Sequence, residues 1–125
     1  MVHGYVEYEG IVRGIEKSLI PQVYIVSIEN PDAKTLFDIH KSLMVFKLND
    51  LVKVTISKVK PQYREGVDLV MSGYVISKKS VSKELYKILI SLWGFLLIIE
   101  TKNKDLFKFL NYMDEVYFKL EVLKQ

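Results

Sequence analysis

Residues 114–123 of this chain read DEVYFKLEVL, with apolar side chains at every second position. Val116, Phe118, Leu120 and Val122 would face one way, and Glu115, Tyr117, Lys119 and Glu121 the other. Only an extended strand sends successive side chains to opposite faces. A period of two therefore predicts a β-strand with one face in a core and the other in water. Upstream lies the densest apolar run, Ile88 to Ile99, broken at Trp93-Gly94-Phe95. Its twelve residues fall short of the roughly 20 that a membrane-spanning helix needs. The run is read as two buried strand pieces around Gly94, not as a membrane span.

The same period recurs along the chain. Between Tyr5 and Glu16, Val6, Tyr8, Gly10 and Val12 form one face, and Glu7, Glu9 and Arg13 the other. Gly10 and Gly14 inside this stretch predict a bulge or bend. A second strand, Gln22 to Glu29, closes at the turn Asn30-Pro31-Asp32. Thr35–Ile39 reads as a short strand, and residues 40–48 as a connection with Leu43 and Phe46 as core plugs. Val52, Val54 and Ile56 mark the next strand; Leu69–Ile76 follows, with Gly73 inside it. Lys79 to Leu85 reads as a loop with one helical turn. Lys104–Met113, with Leu106, Phe107, Phe109 and Leu110, reads as one or two helical turns. Seven or eight strands and almost no helix predict an all-β barrel or sandwich, between which the pattern alone does not choose.

The 125 residues suit a single domain, expected over 1–125. An apolar content of 50% lets the chain fold around a core. With no cysteine there are no disulfides, thiolate nucleophiles or cysteine zinc sites, as suits a cytoplasmic protein. The opening MVHGYVEYEG lacks the pattern of a signal peptide. Net charge is +3, and it is spread evenly: residues 1–62 hold 8 basic and 7 acidic side chains, residues 63–125 hold 10 and 8. A dedicated nucleic-acid binder usually concentrates its positive charge. The most basic window is Lys78, Lys79, Lys83 and Lys87 against Glu84. It reads first as a solvated stretch that discourages sheet-edge pairing, and second as a phosphate-binding patch.

No catalytic or metal constellation emerges, and no cofactor is expected. His3 and His40 lie far apart, and neither has metal-ligand or general-base spacing. The stretch Gly10 to Gly14 lacks the Lys-Ser/Thr of a phosphate loop. Asp114 and Glu115 are adjacent, so a strand would point them to opposite faces. Asp38 stands on an otherwise apolar strand, where a turn or capping role fits better than catalysis. Tyr5, Tyr24, Tyr63 and Tyr74 could stack on bases, but aromatics also suit any half-buried pleated surface.

Four short patterns in fixed order carry a family resemblance over residues 35–123. They are Thr35-Leu36-Phe37-Asp38-Ile39; NDLVKVTISK from Asn49 to Lys58; VDLVMSGYVISK from Val67 to Lys78; and a C-terminal block. That block runs from Trp93-Gly94-Phe95-Leu96 through a polar turn and a Leu/Phe patch to Asp114-Glu115-Val116-Tyr117. Together they resemble subunit 8 of archaeal and eukaryotic multisubunit RNA polymerases, which carries the letter G in archaea. Two departures, a short loop at Pro61–Gly66 and a bulky Trp93, point to an archaeal form. On this resemblance Phe37, Asp38, Gly73, Trp93, Gly94, Phe95, Leu96, Asp114, Val116 and Phe118 are signature residues of the fold. It implies an antiparallel barrel of oligonucleotide/oligosaccharide-binding (OB) type with extra strands. It also implies a non-catalytic subunit docked on the largest polymerase subunit; a small barrel would offer strand edges and an apolar-aromatic patch for such docking. The alternative is a free-standing OB-fold protein that binds single-stranded nucleic acid.

Overall fold

Alternation of apolar and polar residues builds strands along nearly the whole chain. The computed structural model describes residues 4–124. Its strands are β1 (Tyr5–Lys17), β2 (Val23–Asn30), β3 (Ala33–His40), β4 (Leu51–Ser57), β5 (Leu69–Ser82), β6 (Leu85–Leu92), β7 (Phe95–Thr101) and β8 (Glu115–Lys124). One short helix, α1 (Lys104–Phe109), joins β7 to β8. The strands close into a barrel in the order β1-β2-β3-β7-β6-β5-β8-β4, and every ladder is antiparallel.

Closure depends on β1 belonging to two ladders. Its first half, Tyr5 to Ile11, pairs with β4, and its second half, Ile11 to Lys17, with β2. The β2 register shifts between Val12 and Gly14. That irregularity, flagged in sequence by the glycines, adds twist and coils the strand around the barrel.

The interior is filled by the inward member of each alternating pair. Phe37, Val54, Ile90, Leu97, Val116 and Phe118 are all buried. Phe37 lies edge-on to both Phe118 and Phe46, with ring centroids 5.0 Å and 6.0 Å apart. Leu106 and Leu110 of the α1 segment are buried in the same core. The Asn103 side chain caps α1 by accepting from the amides of Asp105 and Leu106. At the β6–β7 hairpin both turn residues, Trp93 and Gly94, have positive φ, 52° and 97°. The right-handed twist of the flanking strands favours this geometry in a two-residue loop. Gly73 answers to a different constraint: a Cβ there would sit 1.8 Å from the Ser91 carbonyl oxygen. Only glycine lets β5 and β6 approach so closely.

Two expectations are corrected and a third is narrowed. Lys79 to Leu85 is not a loop with a helical turn: β5 runs to Ser82, turns at Lys83-Glu84 and returns as β6. Pairing with β6 satisfies one side of its backbone, a tertiary effect that a Lys- and Ser-rich composition conceals. Leu43 is not a plug; it is 49% exposed, and Phe46 alone of the two enters the core. Docking through open strand edges has little basis, since each strand has hydrogen-bonded neighbours on both sides. Free edge is left to overhangs such as the end of β5, which meets β8 only over Leu69 to Tyr74.

Candidate functional site

The signature residues do not converge on one spot. Phe37, Val116 and Phe118 are core, and Gly73 lies where β5 and β6 approach. Phe95 packs against the core at its edge. Leu96 alternates with buried Leu97 and so faces outward. Trp93 is 78% exposed at the hairpin tip, where its Nε1–H donates to the Ser72 hydroxyl at 3.2 Å and its ring stands edge-on to Tyr74.

The two signature aspartates make structural bonds. Asp38 accepts the Leu96 amide at 3.2 Å, just past the last ladder pair of β3 and β7, Phe37 with Leu97. Asp114 accepts the Asn111 amide at 2.9 Å in the turn that enters β8, and Lys58 lies 3.2 Å away. The amide bond, against the opposing effect of burial and with help from Lys58, holds the Asp114 carboxyl below its usual range. His40 caps a short 3₁₀ turn: its Nδ1 accepts the Ser42 amide. His3 lies outside the described residues. Among the described residues, no three His, Cys, Asp or Glu side chains group as metal ligands would.

The basic window splits. Lys79 and Lys87 are directly opposed across β5 and β6, and so share one face. Lys78 pairs with buried Ile88 and turns the other way, its Nζ 4.3 Å from the Phe107 ring centre. Burial there lowers the Lys78 ammonium pKa. Lys83 sits exposed in the hairpin turn. The tyrosines divide as well. Tyr24 packs against the core, Tyr5 and Tyr74 are partly exposed on different strands, and Tyr63 lies under Lys60.

The outer wall has two contrasting sides. On β1, β4 and β8 it is polar and paired. Lys53 on β4 reaches Glu121 on β8 at 3.1 Å and Glu7 on β1 at 3.8 Å. Glu121 also meets Arg64 at 3.9 Å and Lys119 at 4.0 Å. Its hydrogen bond raises the Lys53 ammonium pKa. Beside this network Asp68, nearly buried, takes the Arg64 guanidinium and amide at 2.9 Å and 2.8 Å. Burial pushes its carboxyl upward, but the Arg64 bonds outweigh that and hold it low.

Around β3, β7, β6 and β5 the outer wall carries apolar rows beside a charged one. Leu36, Ile98 and Leu89 form one cross-strand row, each paired with the next. They alternate with buried residues and stand outside the core. The row ends on β5 at Ser77, beside Ile76 in the bulge, which is 41% exposed; Ile25 on β2 is 38% exposed. A second row holds Leu96, Ser91 and Tyr74 and ends at Trp93. A charged row, Lys34-Glu100-Lys87-Lys79, runs along the other flank. Among the described residues none of those four forms an ion pair. Sequence reading placed the whole run 88–99 inside. Its signal for an outer surface is the break in alternation at Leu89 on β6 and at Leu96 and Ile98 on β7.

The family model for the G subunit of DNA-directed RNA polymerase, RpbG, matches residues 5–123, all eight strands apart from the last residue of β8. DNA-directed RNA polymerase subunit Rpo8 of Sulfolobus acidocaldarius is 33% identical over 112 residues, covering 86% of this chain and 89% of that protein. Rpo8 of Saccharolobus solfataricus is 32% identical over 114 residues, covering 86% and 85%. Among solved structures, a cytoplasmic molybdate-binding protein aligns at 14% identity over 94% of this chain and 95% of that one. Its TM-score of 0.38 is too low for its ligand to bear on this chain. An eight-stranded closed barrel matched almost from end to end leaves one assignment: the chain belongs to the RpbG family of archaeal DNA-directed RNA polymerase subunits.

Proposed function

We propose that this chain is an architectural, non-catalytic subunit of the polymerase, docked on the outside of the largest subunit near its funnel, in the cytoplasm. There it supports assembly and stability of that subunit, while catalytic magnesium and nucleotide contacts belong to the large subunits. The observation that carries the reading is the family match across residues 5–123. The carboxylates support it by what they do: Asp38, Asp68 and Asp114 each accept a backbone amide that shapes the barrel.

The rival reading is autonomous binding of single-stranded nucleic acid, and the exposed Trp93–Tyr74 pair is the observation in its favour. Against it, positive charge is dispersed, and affinity of that kind comes chiefly from neutralising phosphates. A titration at two salt concentrations separates the two. The chain should bind the isolated largest subunit with an affinity that changes little as salt rises. Single-stranded RNA should bind no tighter than the roughly 10⁻⁴–10⁻⁶ M of non-specific association. Tight RNA binding with a steep salt slope, and no association with the large subunit, would reject the architectural role.

A further inference from the structure

An antiparallel strand with one wet face alternates apolar with polar residues; a strand apolar on both faces is one covered on both. β4 and β8 alternate, with Lys53, Thr55, Lys119 and Glu121 on the outside. β6 and β7 do not. Ile88, Ile90, Leu97 and Ile99 fill the core, while Leu89, Leu96 and Ile98 face out, half-buried and outside the core cluster. Contiguous outward apolar rows of this kind mark interaction surfaces.

We infer that the outer face of β3, β7, β6 and β5 is the surface by which the chain joins the polymerase. Its occupant is a segment of another polymerase subunit that presents apolar side chains flanked by carboxylates. This rests on the architectural reading above and adds the face and the chemistry of the partner. Charge sets that chemistry. The flanking row carries three lysines to one glutamate, all without ion pairs among the described residues, and Lys79 directly opposes Lys87. Like charges opposed across a ladder destabilise it, and a partner carboxylate between them removes that repulsion. A second copy of this chain would bring the same lysine surplus to the contact, so self-pairing is disfavoured. Trp93, at the far end beside Tyr74, is of a residue type enriched among binding hot spots.

The test is incorporation of the full-length chain into polymerase reconstituted from its remaining subunits, with thermal unfolding measured on each variant. Ile98→Glu should fold and incorporate roughly tenfold less well or worse, and Lys79→Gln/Lys87→Gln roughly threefold less well. Glu7→Gln, on the paired side, should incorporate normally. If Ile98→Glu does not fold, the lysine pair, which supports no core contact, decides alone. Equal incorporation of all variants overturns the face while the architectural role stands; a wild-type chain that never incorporates overturns both. Loss confined to Glu7→Gln moves the interface to the opposite side. Wild-type self-association abolished by Ile98→Glu would assign the face to a second copy. RNA binding lost in the lysine variant without loss of incorporation would assign it to nucleic acid. Each of these last three outcomes also refutes the inference.

Discussion

The two sides of this barrel share one core and differ in what they show to the outside. On β1, β4 and β8 the outward positions hold Glu7, Lys53, Lys119 and Glu121, which meet one another within 4.0 Å. On β3, β7 and β6 they hold Leu36, Ile98 and Leu89, beside lysines with no ion-pair partner among the described residues. A polar, internally neutralised wall is complete in water. An apolar wall with unneutralised charge at its border is completed by another surface. The outer apolar residues lie outside the core, so the contrast leads to an expectation: their loss should spare stability while it impairs assembly.

Variants can break or sharpen that separation. The largest effect belongs to the core that both sides share. Phe118→Ala removes a fully buried ring that touches Phe37, and should cost about 3–5 kcal/mol in chemical unfolding. Lys119→Ala, one residue along and facing outward, should stay within about 0.5 kcal/mol. Equal costs would mean the faces of β8 are misassigned, because a one-residue slip exchanges them.

Gly94→Val comes next. It sits on the apolar side, but the cost arises from backbone: at φ 97° a β-branched residue is strained, and a loss of about 1–3 kcal/mol in thermal unfolding is expected. No neighbour within 4 Å adds a packing cost. An unchanged melting curve would show that the β6–β7 turn tolerates another geometry.

Acid should act on the paired side. Asp68 and Asp114 both have carboxyl pKa values held below the ordinary value. A depressed folded-state pKa contributes stability above the unfolded value, near 3.9, and that stability is lost as pH falls through the folded value. Wild type should therefore weaken below about pH 4, and Asp68→Asn should lose less on the same descent. A variant that loses as much as wild type would remove Asp68 from the acid response.

The smallest effect is the most telling. Leu89→Thr keeps a strand-forming residue on the outer apolar row, and should shift the unfolding free energy of the isolated chain by less than about 0.5 kcal/mol. A core-sized loss would show that the outer row stabilises the barrel and that the two sides are not separable.

The sequence made the framework legible wherever one face is wet. The alternation in 115–122 marks β8 and its buried Val116, Phe118 and Leu120 directly. Gly10 and Gly14 flagged the irregular β1. Legibility failed where tertiary pairing decides. Lys is depleted in strands and Ser favours turns, so Lys79 to Leu85 reads as a loop, and only the ladder with β6 makes Lys79–Ser82 a strand. Leu43 and Phe46, three residues apart, could each have plugged the barrel, and only the path of the connection separates them. The outer surface failed for a subtler reason. An uninterrupted apolar run says that both faces are covered without saying by what, so Leu89, Leu96 and Ile98 were indistinguishable from core. Closure of the ladder turned those three outward.

Hydroxyl-radical footprinting of the chain, free and within assembled polymerase, tests the central claim most directly. Trp93 and Tyr74 report on the apolar side, and Tyr5 on the paired side; all three are accessible in the free chain. The account predicts strong protection of Trp93 and Tyr74 on assembly, with Tyr5 oxidised as before. Protection of Tyr5 while Trp93 and Tyr74 remain reactive would contradict it.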